Sequence, residues 1–398
     1  MVIEALTSSP PTKIGIIGGG QLGKMMTQEA KKMGFYVTIL DPSPNCPAAQ
    51  VADRHIVGSF YDEEKIREIV SDSDVTTYDI EHINAGVLKE LEGEGHTIHP
   101  SPDTLRTIQN RLWQKDLLKK AGLPIPRYEK VESLDCLIRA GEELGLPVVL
   151  KTCKGGYDGR GNYVIHTREQ IEPAFHSFIE KNFYRNFSDK ELIVEELIGF
   201  EKELAVMVAR GTQGEVRCHP VAETMHKNNI CHTVVAPARV GEDIHNKARE
   251  IAMKTMKALK GAGIFGIEMF LVNGEVLINE IAPRPHNSGH YTIEACVTSQ
   301  FEQHIRAVTG LPLGSTELLT PAVMINILGE EGYEGPAILE GIQGALSIPG
   351  VALHFYGKAM TKPGRKMGHI TVIDEDVEKA MEKANRARSF LRMMAKEV

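Results

Sequence analysis

Apolar runs alternate with amphipathic stretches over the first hundred residues. Residues 13–17 form an apolar run that leads into glycines, residues 21–33 repeat apolar positions at helical spacing, and residues 36–40 are a second apolar run ending at Asp41. A helical stretch at 62–70 and an apolar run at 75–78 continue the alternation, which predicts βαβ units and a parallel sheet. Ser101-Pro102 opens a helix expected over 103–118, and the prolines of residues 123–126 predict an extended linker.

The pattern then changes. A helix at 133–144, strand ends at 148–150 and 163–165 around a glycine-rich connection, a helix at 168–180 and a strand at 192–196 read as a small α/β unit. Strands follow at 203–209, 216–221, 264–272 and 275–281. After Leu311-Pro312 come short strands at 322–328, 344–348, 352–355 and 369–372. The expected division is a loose tail at 1–12, units at 13–110 and 111–310, a smaller unit at about 125–195 within the second, and a β-rich unit at 311–398.

Composition narrows the function classes. With 398 residues, 42% of them hydrophobic, the chain can bury more than one core. A formal charge of −8 argues against general affinity for nucleic acid or an anionic membrane. No run approaches a membrane span. The six cysteines lack C-x-x-C spacing, so the simplest compartment is a reducing cytoplasm, with no disulfide framework.

Four clusters carry candidate chemistry. The connection in LKTCKGGYDGRGNYV (150–164) is a glycine-rich hairpin whose N–H groups could close over phosphate, with Lys151 as a point charge; a solvated surface hairpin would carry the same residues. Gly18-x-Gly20-x-x-Gly23 with Asp41 fits a dinucleotide fingerprint. Glu268 and Glu280 flank Asn273-Gly274 at a separation of twelve, so they share a sheet face only if the loop has an odd count, for instance three residues with a bulge at Gly274. With Asn279 they would suit Mg²⁺ bridged to phosphates, or each could be an ion-paired rim carboxylate. The turn APRPHNSGH places Arg284, His286, Asn287 and Ser288 beside them as anion donors or helix caps, and the absence of a helix at His286 and His290 argues against zinc. Glu195-Glu196-Leu197-Ile198 reads as a strand exit whose backbone could pair with an adenine edge.

GGGQLG at 18–23, GGYDGRG at 155–161, INEIAPRPHNSGHYT at 278–292, SQFEQH at 299–304 and PGRKMGH at 363–369 follow one another in an order that resembles the ATP-grasp ligases. Within them the chain is similar to the 5-(carboxyamino)imidazole ribonucleotide synthase family, the ATPase subunit of phosphoribosylaminoimidazole carboxylase. HPSPDTLRTIQNR, ELAVMV and ETMHKNNIC resemble the amino-terminal part of the fungal fused enzyme. The resemblance implies an α/β and α+β chain: a Rossmann-like pre-ATP-grasp domain, an ATP-grasp domain with a lid, and a small carboxy-terminal domain. It implies ATP-dependent carboxylation of aminoimidazole ribonucleotide by bicarbonate through carboxyphosphate, in purine biosynthesis.

The resemblance also implies roles. Arg111 and Lys151 would contact ATP phosphates under a cover made of Gly156, Tyr157, Asp158, Gly159, Arg160, Gly161 and Asn162. Glu195, Glu196, Leu197 and Ile198 would bind adenine, Glu203 the ribose, and His226 would lie close by. Glu268 and Glu280, flanked by Asn279, would hold Mg²⁺, with two ions expected. Gln21, Glu81, Tyr157, Asp158 and Arg160 would meet the ribonucleotide, Lys358 and Arg365 its phosphate, and Arg284 with His286, Asn287 and Ser288 the bicarbonate. Asp158 is the candidate for orienting or deprotonating the amine, unless it only stabilises its Asp-Gly turn. Neither NAD nor zinc is implied. A cytoplasmic homodimer that passes its product to a separate mutase or carboxylase is. A formate-using glycinamide ribonucleotide transformylase and a biotin-type carboxylase share the carboxylate pair but not PGRKMGH; a nicotinamide dehydrogenase and a non-catalytic ATP sensor are the readings from other classes.

Overall fold

The computed structural model describes residues 12–156, 161–180 and 191–396. All of the expected tail except Thr12 lies outside them, as do Tyr157, Asp158, Gly159 and Arg160.

The amino-terminal unit runs β1 (Lys13–Ile17), α1 (Gln21–Lys32), β2 (Tyr36–Asp41), β3 (Arg54–Val57), α2 (Glu63–Ser71), β4 (Val75–Tyr78) and α3 (Ala85–Gly93). Its strands pair in parallel in the order β3-β2-β1-β4. Ile14, Ile16, Val37 and Ile39 fill a core on one face, while Ile17, Leu40, Ile56 and Tyr78 fill one on the other, as a doubly covered parallel sheet requires. Strand β3 had no clear sequence signal because RHIV has two polar residues of four. The chain steps outward from β1 to β2 and β3, then returns to β4 on the far side of β1. That switch opens a crevice at the carboxyl ends of β1 and β4.

The helix expected over 103–118 is two helices, α4 (Pro102–Gln109) and α5 (Arg111–Lys120). Asn110 separates them: its backbone is extended and its Oδ1 accepts the N–H groups of Leu112 and Trp113, capping α5. The break places Arg111 at the first helical position, aimed at the glycine loop.

The smaller unit comprises β5 (Tyr128–Val131), α6 (Leu134–Leu144), β6 (Val148–Thr152), β7 (Asn162–Ile165), α7 (Ile171–Glu180) and β8 (Leu192–Glu196), an antiparallel sheet in the order β5-β8-β6-β7. It has its own core, including Leu137, Val148, Leu150, Ile165 and Val194.

A larger sheet follows from β9 (Lys202–Arg210), β10 (Val216–Cys218), β11 (Ala222–Lys227) and β12 (Ile230–Ala236), then α8 (Glu242–Leu259), β13 (Gly263–Val272) and β14 (Glu275–Ala282). Helix α8 was not foreseen, although Ile244, Ala248, Ala252, Met256 and Leu259 repeat at helical spacing and are buried. Helices α9 (Thr292–Ala295) and α10 (Gln300–Thr309) lead to β15 (Ala322–Leu328), which pairs with β12. Next come β16 (Gly335–Glu340), α11 (Ile342–Leu346), β17 (Val351–Phe355), β18 (Met360–Thr361), β19 (Lys366–Ile373), α12 (Val377–Phe390) and β20 (Arg392–Ala395). The strand expected at 344–348 is instead α11 and the residues after it; Ala345 drops into the core beneath α12, and a turn of helix presents it there. The large sheet runs β14-β13-β9-β11-β12-β15-β19-β17, with β10 on β9, and is continuous across residue 311. No helix among the described residues is long and apolar enough to cross a membrane.

Candidate functional site

A cavity of about 710 Å³ opens where all these units meet. Its wall includes Gln21 and Glu81, Arg111 and Lys115 from α5, Lys151 and Glu195 from the smaller sheet, Glu280 and Arg284 from β14 and its exit, and Lys358, Arg365 and Lys366 near the carboxyl end. Counting Lys362 as well, eight lysines and arginines line it against four carboxylates, Asp79, Glu81, Glu195 and Glu280. An acidic chain thus surrounds a basic cavity, as a polyanionic ligand requires.

The glycine turn after β1 is already filled by the chain's own carboxylates. Asp79, at the end of β4, accepts the N–H groups of Gly20 and Gly23, each at 2.9 Å, and Asp41 accepts that of Gly19 at 2.8 Å. These donors are the ones a dinucleotide pyrophosphate would need. Asp41 also accepts Ser43 N–H, so it serves the turn. Gly18 has φ +110°, and a Cβ there would lie 1.6 Å from Asp79 Oδ1. Burial pushes the Asp79 carboxyl up to about 6 against the two N–H groups that favour its anion.

Arg111 donates to the carbonyls of Thr152 and Gly156, both at 3.0 Å, tying α5 to the start of the glycine loop. Lys151 donates to Glu195 Oε2 at 3.0 Å, and Lys115 stands 3.3 Å from the same oxygen. Burial alone would raise the Glu195 carboxyl, yet the Lys151 and Lys115 charges hold it below the usual range. The structure therefore gives the Glu195 side chain to two lysines. Glu196 turns away to Arg127 at 2.9 Å, and the Leu197 N–H donates to the Pro147 carbonyl. Leu197 is exposed and Ile198 half-buried just beyond the strand.

Glu268 and Glu280 do share a face, but not by the expected route. The β13–β14 loop has two residues, Asn273 and Gly274 with φ 49° and 75°, as a type I′ turn requires. Such a turn alone would pair Glu268 with residue 279. The ladder instead slips between Glu268 and Met269, leaving Asn279 unpaired and Glu280 directly opposite Glu268. The odd residue is a bulge at Asn279, not at Gly274. Burial first, and the facing Glu280 second, push the Glu268 carboxyl up to about 7. On the opposite face Phe265, Ile267, Met269 and Leu271 are in the core, as expected. Glu203 and His226 form a close ion pair on the neighbouring strands. Burial opposes protonation of His226, but the Glu203 contact prevails and raises its pKa.

The turn after β14 is clamped by Gln300, which accepts from His286 N–H and donates to the His286 carbonyl. Arg284 pairs with Glu81 at 2.9 Å, joining the two larger units across the cavity. His286 contacts Ser288 Oγ at 2.8 Å and lies 3.8 Å from Glu268; burial and the Arg284 charge lower its pKa well below the usual range. The Asn287 amide is engaged reciprocally by Asn326, and the cap of the short Asn287–Gly289 turn is His286, not Asn287 or Ser288.

At the far end Lys358 lies 5.7 Å over the Tyr356 ring and donates to the Lys366 carbonyl at 2.7 Å. Burial, then the charges of Arg365 and Lys366, push it down to about 7. Arg365 donates to the Met360 carbonyl.

Gln21, Glu81, Arg111, Lys151, Gly156, Glu195, Asn279, Glu280, Arg284, His286, Asn287, Lys358 and Arg365 thus line one cavity. Glu196, Leu197, Ile198, Glu203, His226, Glu268, Ser288, Gly161 and Asn162 are not on its wall. Sequence reasoning missed Lys115 and Asp79. Lys115 could have been found as the residue one helical turn after Arg111, and Asp79 as the acid at the carboxyl end of a parallel strand. Among the described residues no three His, Cys, Asp or Glu side chains converge as metal ligands.

Comparison with known proteins agrees with this architecture. Residues 11–109 match the ribonucleotide synthetase preATP-grasp domain, 116–301 the ATP-grasp domain, and 322–383 the phosphoribosylaminoimidazole carboxylase C-terminal domain. The N5-carboxyaminoimidazole ribonucleotide synthase of Bacillus subtilis is 44% identical over 92% of both chains. The crystal structure of N5-carboxyaminoimidazole ribonucleotide synthetase from Thermotoga maritima is 56% identical, with a TM-score of 0.86 over 97% of this chain and 100% of that one. The Aspergillus clavatus N5-carboxyaminoimidazole synthase, crystallised with ADP and 5-aminoimidazole ribonucleotide, is 37% identical, with a TM-score of 0.86 over 96% of this chain and 98% of that one. The phosphoribosylaminoimidazole carboxylases of Ogataea methanolica and Schizosaccharomyces pombe are matched over 67% and 65% of their own length. Fold, domain order and full-length similarity agree, and the chain belongs to the N5-carboxyaminoimidazole ribonucleotide synthase family of ATP-grasp ligases.

Proposed function

We propose that this chain carboxylates the exocyclic amine of 5-aminoimidazole ribonucleotide with bicarbonate, converting ATP to ADP and phosphate, in purine biosynthesis. The observation that carries the reading is one basic cavity with Arg111 and Lys151 at one end, Lys358 and Arg365 at the other, and Arg284 between them. One end suits a nucleoside triphosphate and the other a phosphomonoester, so the amine and the γ-phosphate are brought to a common centre.

Bicarbonate is a poor electrophile because its leaving group would be hydroxide. Attack of a bicarbonate oxygen on the γ-phosphorus breaks the bond to ADP and gives carboxyphosphate. The amine then adds to the activated carbon, expelling phosphate directly or meeting CO₂ after phosphate has left, and its N–H proton passes to Asp158 to give the carbamate. Arg111 and Lys151 bind the phosphates and offset charge on the transferring group, beneath a cover formed by Gly156 to Asn162 that excludes water. Arg284, oriented by Glu81, with the His286–Ser288 turn, positions bicarbonate. Gln21, Glu81, Tyr157, Asp158 and Arg160 hold the aminoimidazole ribonucleotide, with Asp158 orienting its amine. Glu195 to Ile198 and Glu203 frame the adenosine, with His226 alongside.

The donor set fits Mg²⁺. Glu268 and Glu280 face each other on one rung, and burial with the facing Glu280 raises the Glu268 pKa; a hard cation held there would offset that paired negative charge. Glu268, Glu280 and Asn279 would hold the metal, which supplies charge neutralisation on the phosphates. A cytoplasmic homodimer that delivers its carbamate to a separate mutase or carboxylase completes the reading.

The test follows ADP release from Mg·ATP and ¹³C-bicarbonate, with and without aminoimidazole ribonucleotide. Ribonucleotide-dependent release with a labelled carbamate signal by NMR supports the reading; turnover with formate and glycinamide ribonucleotide instead would overturn it.

A further inference from the structure

Lys115 and Lys151 share one oxygen of one carboxylate. Lys115 is 3% exposed, near the middle of α5, with its ammonium 5.8 Å from the Tyr128 ring centre. It stands 3.3 Å from Glu195 Oε2 but makes no hydrogen bond among the described residues, whereas Lys151 takes that oxygen at 3.0 Å with good geometry. One buried carboxylate needs one cation, so this arrangement holds a cation in reserve. The two lysines are not equivalent. The Lys115 side chain is enclosed at 4% exposure, while the Lys151 side chain is at 15% and sits on β6 just before the glycine loop.

The reserve matters when Lys151 changes partner. On the functional reading above, Lys151 turns to the nucleotide phosphates. Without Lys115 that movement would strand Glu195 as a buried, unpaired anion. We propose that Lys115 is a positioning residue that takes over the Glu195 carboxylate when Lys151 turns to the nucleotide phosphates, so that Lys151 exchanges one anion for another without leaving a buried charge behind.

The inference rests on nucleotide binding at this cavity and is tested by a double-mutant cycle on the full chain, read as ADP and adenosine affinity by calorimetry. K115M should weaken ADP about tenfold or more, because Glu195 then retains Lys151, while K115R restores most of the affinity. Adenosine, which has no phosphate, should change by less than about twofold. In an E195Q background, K115M should shift ADP affinity by less than about twofold, since no charge remains to be held. An equal loss in both backgrounds overturns the proposal in favour of direct contact between Lys115 and phosphate, and no loss in the wild-type background overturns it outright. If K115M alone fails to fold, K115Q replaces it in both backgrounds and is read against the same two outcomes. Wild-type protein that binds no ADP overturns the nucleotide reading itself, whereas wild-type binding with an unchanged K115M overturns only the role of Lys115.

Discussion

Glu268 and Glu280 stand on the same rung of β13 and β14, although the hairpin between them turns in two residues, because Asn279 is left out of the ladder. The pairing sets a partly buried Glu268 beside an exposed Glu280 on one sheet face. It costs stability in the absence of a cation, and the cost depends on pH.

The sign is fixed by the direction of the Glu268 shift. Its carboxyl is raised to about 7 in the fold, above the ordinary Glu value, so the native state holds its proton more tightly than the unfolded chain. Native stability therefore falls as pH rises from about 4.5 to about 7 and is level above that. Glu268→Gln should stabilise the metal-free protein by about 3 kcal/mol at pH 8, give little gain near pH 4.5, and lower turnover by about a hundredfold or more. Thermal melts at the two pH values check this; identical melting at pH 8 would sink it.

Lys358 is expected to make ribonucleotide binding pH-dependent. Its ammonium is pushed down to about 7 by burial and by Arg365 and Lys366, so a phosphate-binding charge is lost as pH rises through that value. The KM for aminoimidazole ribonucleotide should climb about tenfold between pH 6.5 and 8.5, with the KM for ATP little changed. Lys358→Arg, which stays charged, should flatten the profile; a profile unaltered by that substitution would remove Lys358 from the phosphate site.

Asp79→Ala strands the N–H groups of Gly20 and Gly23 and should cost about 2–4 kcal/mol in thermal or urea unfolding. It also uncovers a helix N-terminus, so tens of millimolar sulfate or phosphate should recover part of the loss in the variant and not in the wild type. Equal salt responses would show that the glycine turn collapses without its carboxylate.

Arg284 and Glu81 link two units across the cavity at 2.9 Å. Arg284→Lys keeps the charge but not the planar fork, and it should reduce kcat by about tenfold or more while leaving ADP affinity within about twofold. Loss of ADP binding on this substitution would move Arg284 to the nucleotide end.

Much of this was legible in the sequence because it is local. The strand β1, its glycine turn and helix α1, and the strands around Glu268 and Glu280 follow from periodicity and turn residues. What escaped depended on distant partners. The break at Asn110 follows from its capping side chain and lets Arg111 reach the glycine loop 41 to 45 residues away. The parity of Glu268 and Glu280 was correctly required, yet the residue that supplies it is Asn279, because a bulge is decided by what the face must bury rather than by the turn. Glu195 looked like an adenine contact; only tertiary packing brings Lys115 beside it.

The pairing of β12 with β15 has one more consequence. Because the strands around Lys358 and Arg365 extend the same sheet that bears Glu268 and Glu280, the span between that phosphate end and the carboxylate rung is set when the chain folds, not when ligands arrive. Lys151, on the separate sheet of the smaller unit with its own core, lies outside that fixed frame. A fixed span acts as a ruler: an amine whose phosphate sits too near or too far holds its nucleophile away from the activated carbon, so length becomes a selection criterion independent of the groups that recognise the ring.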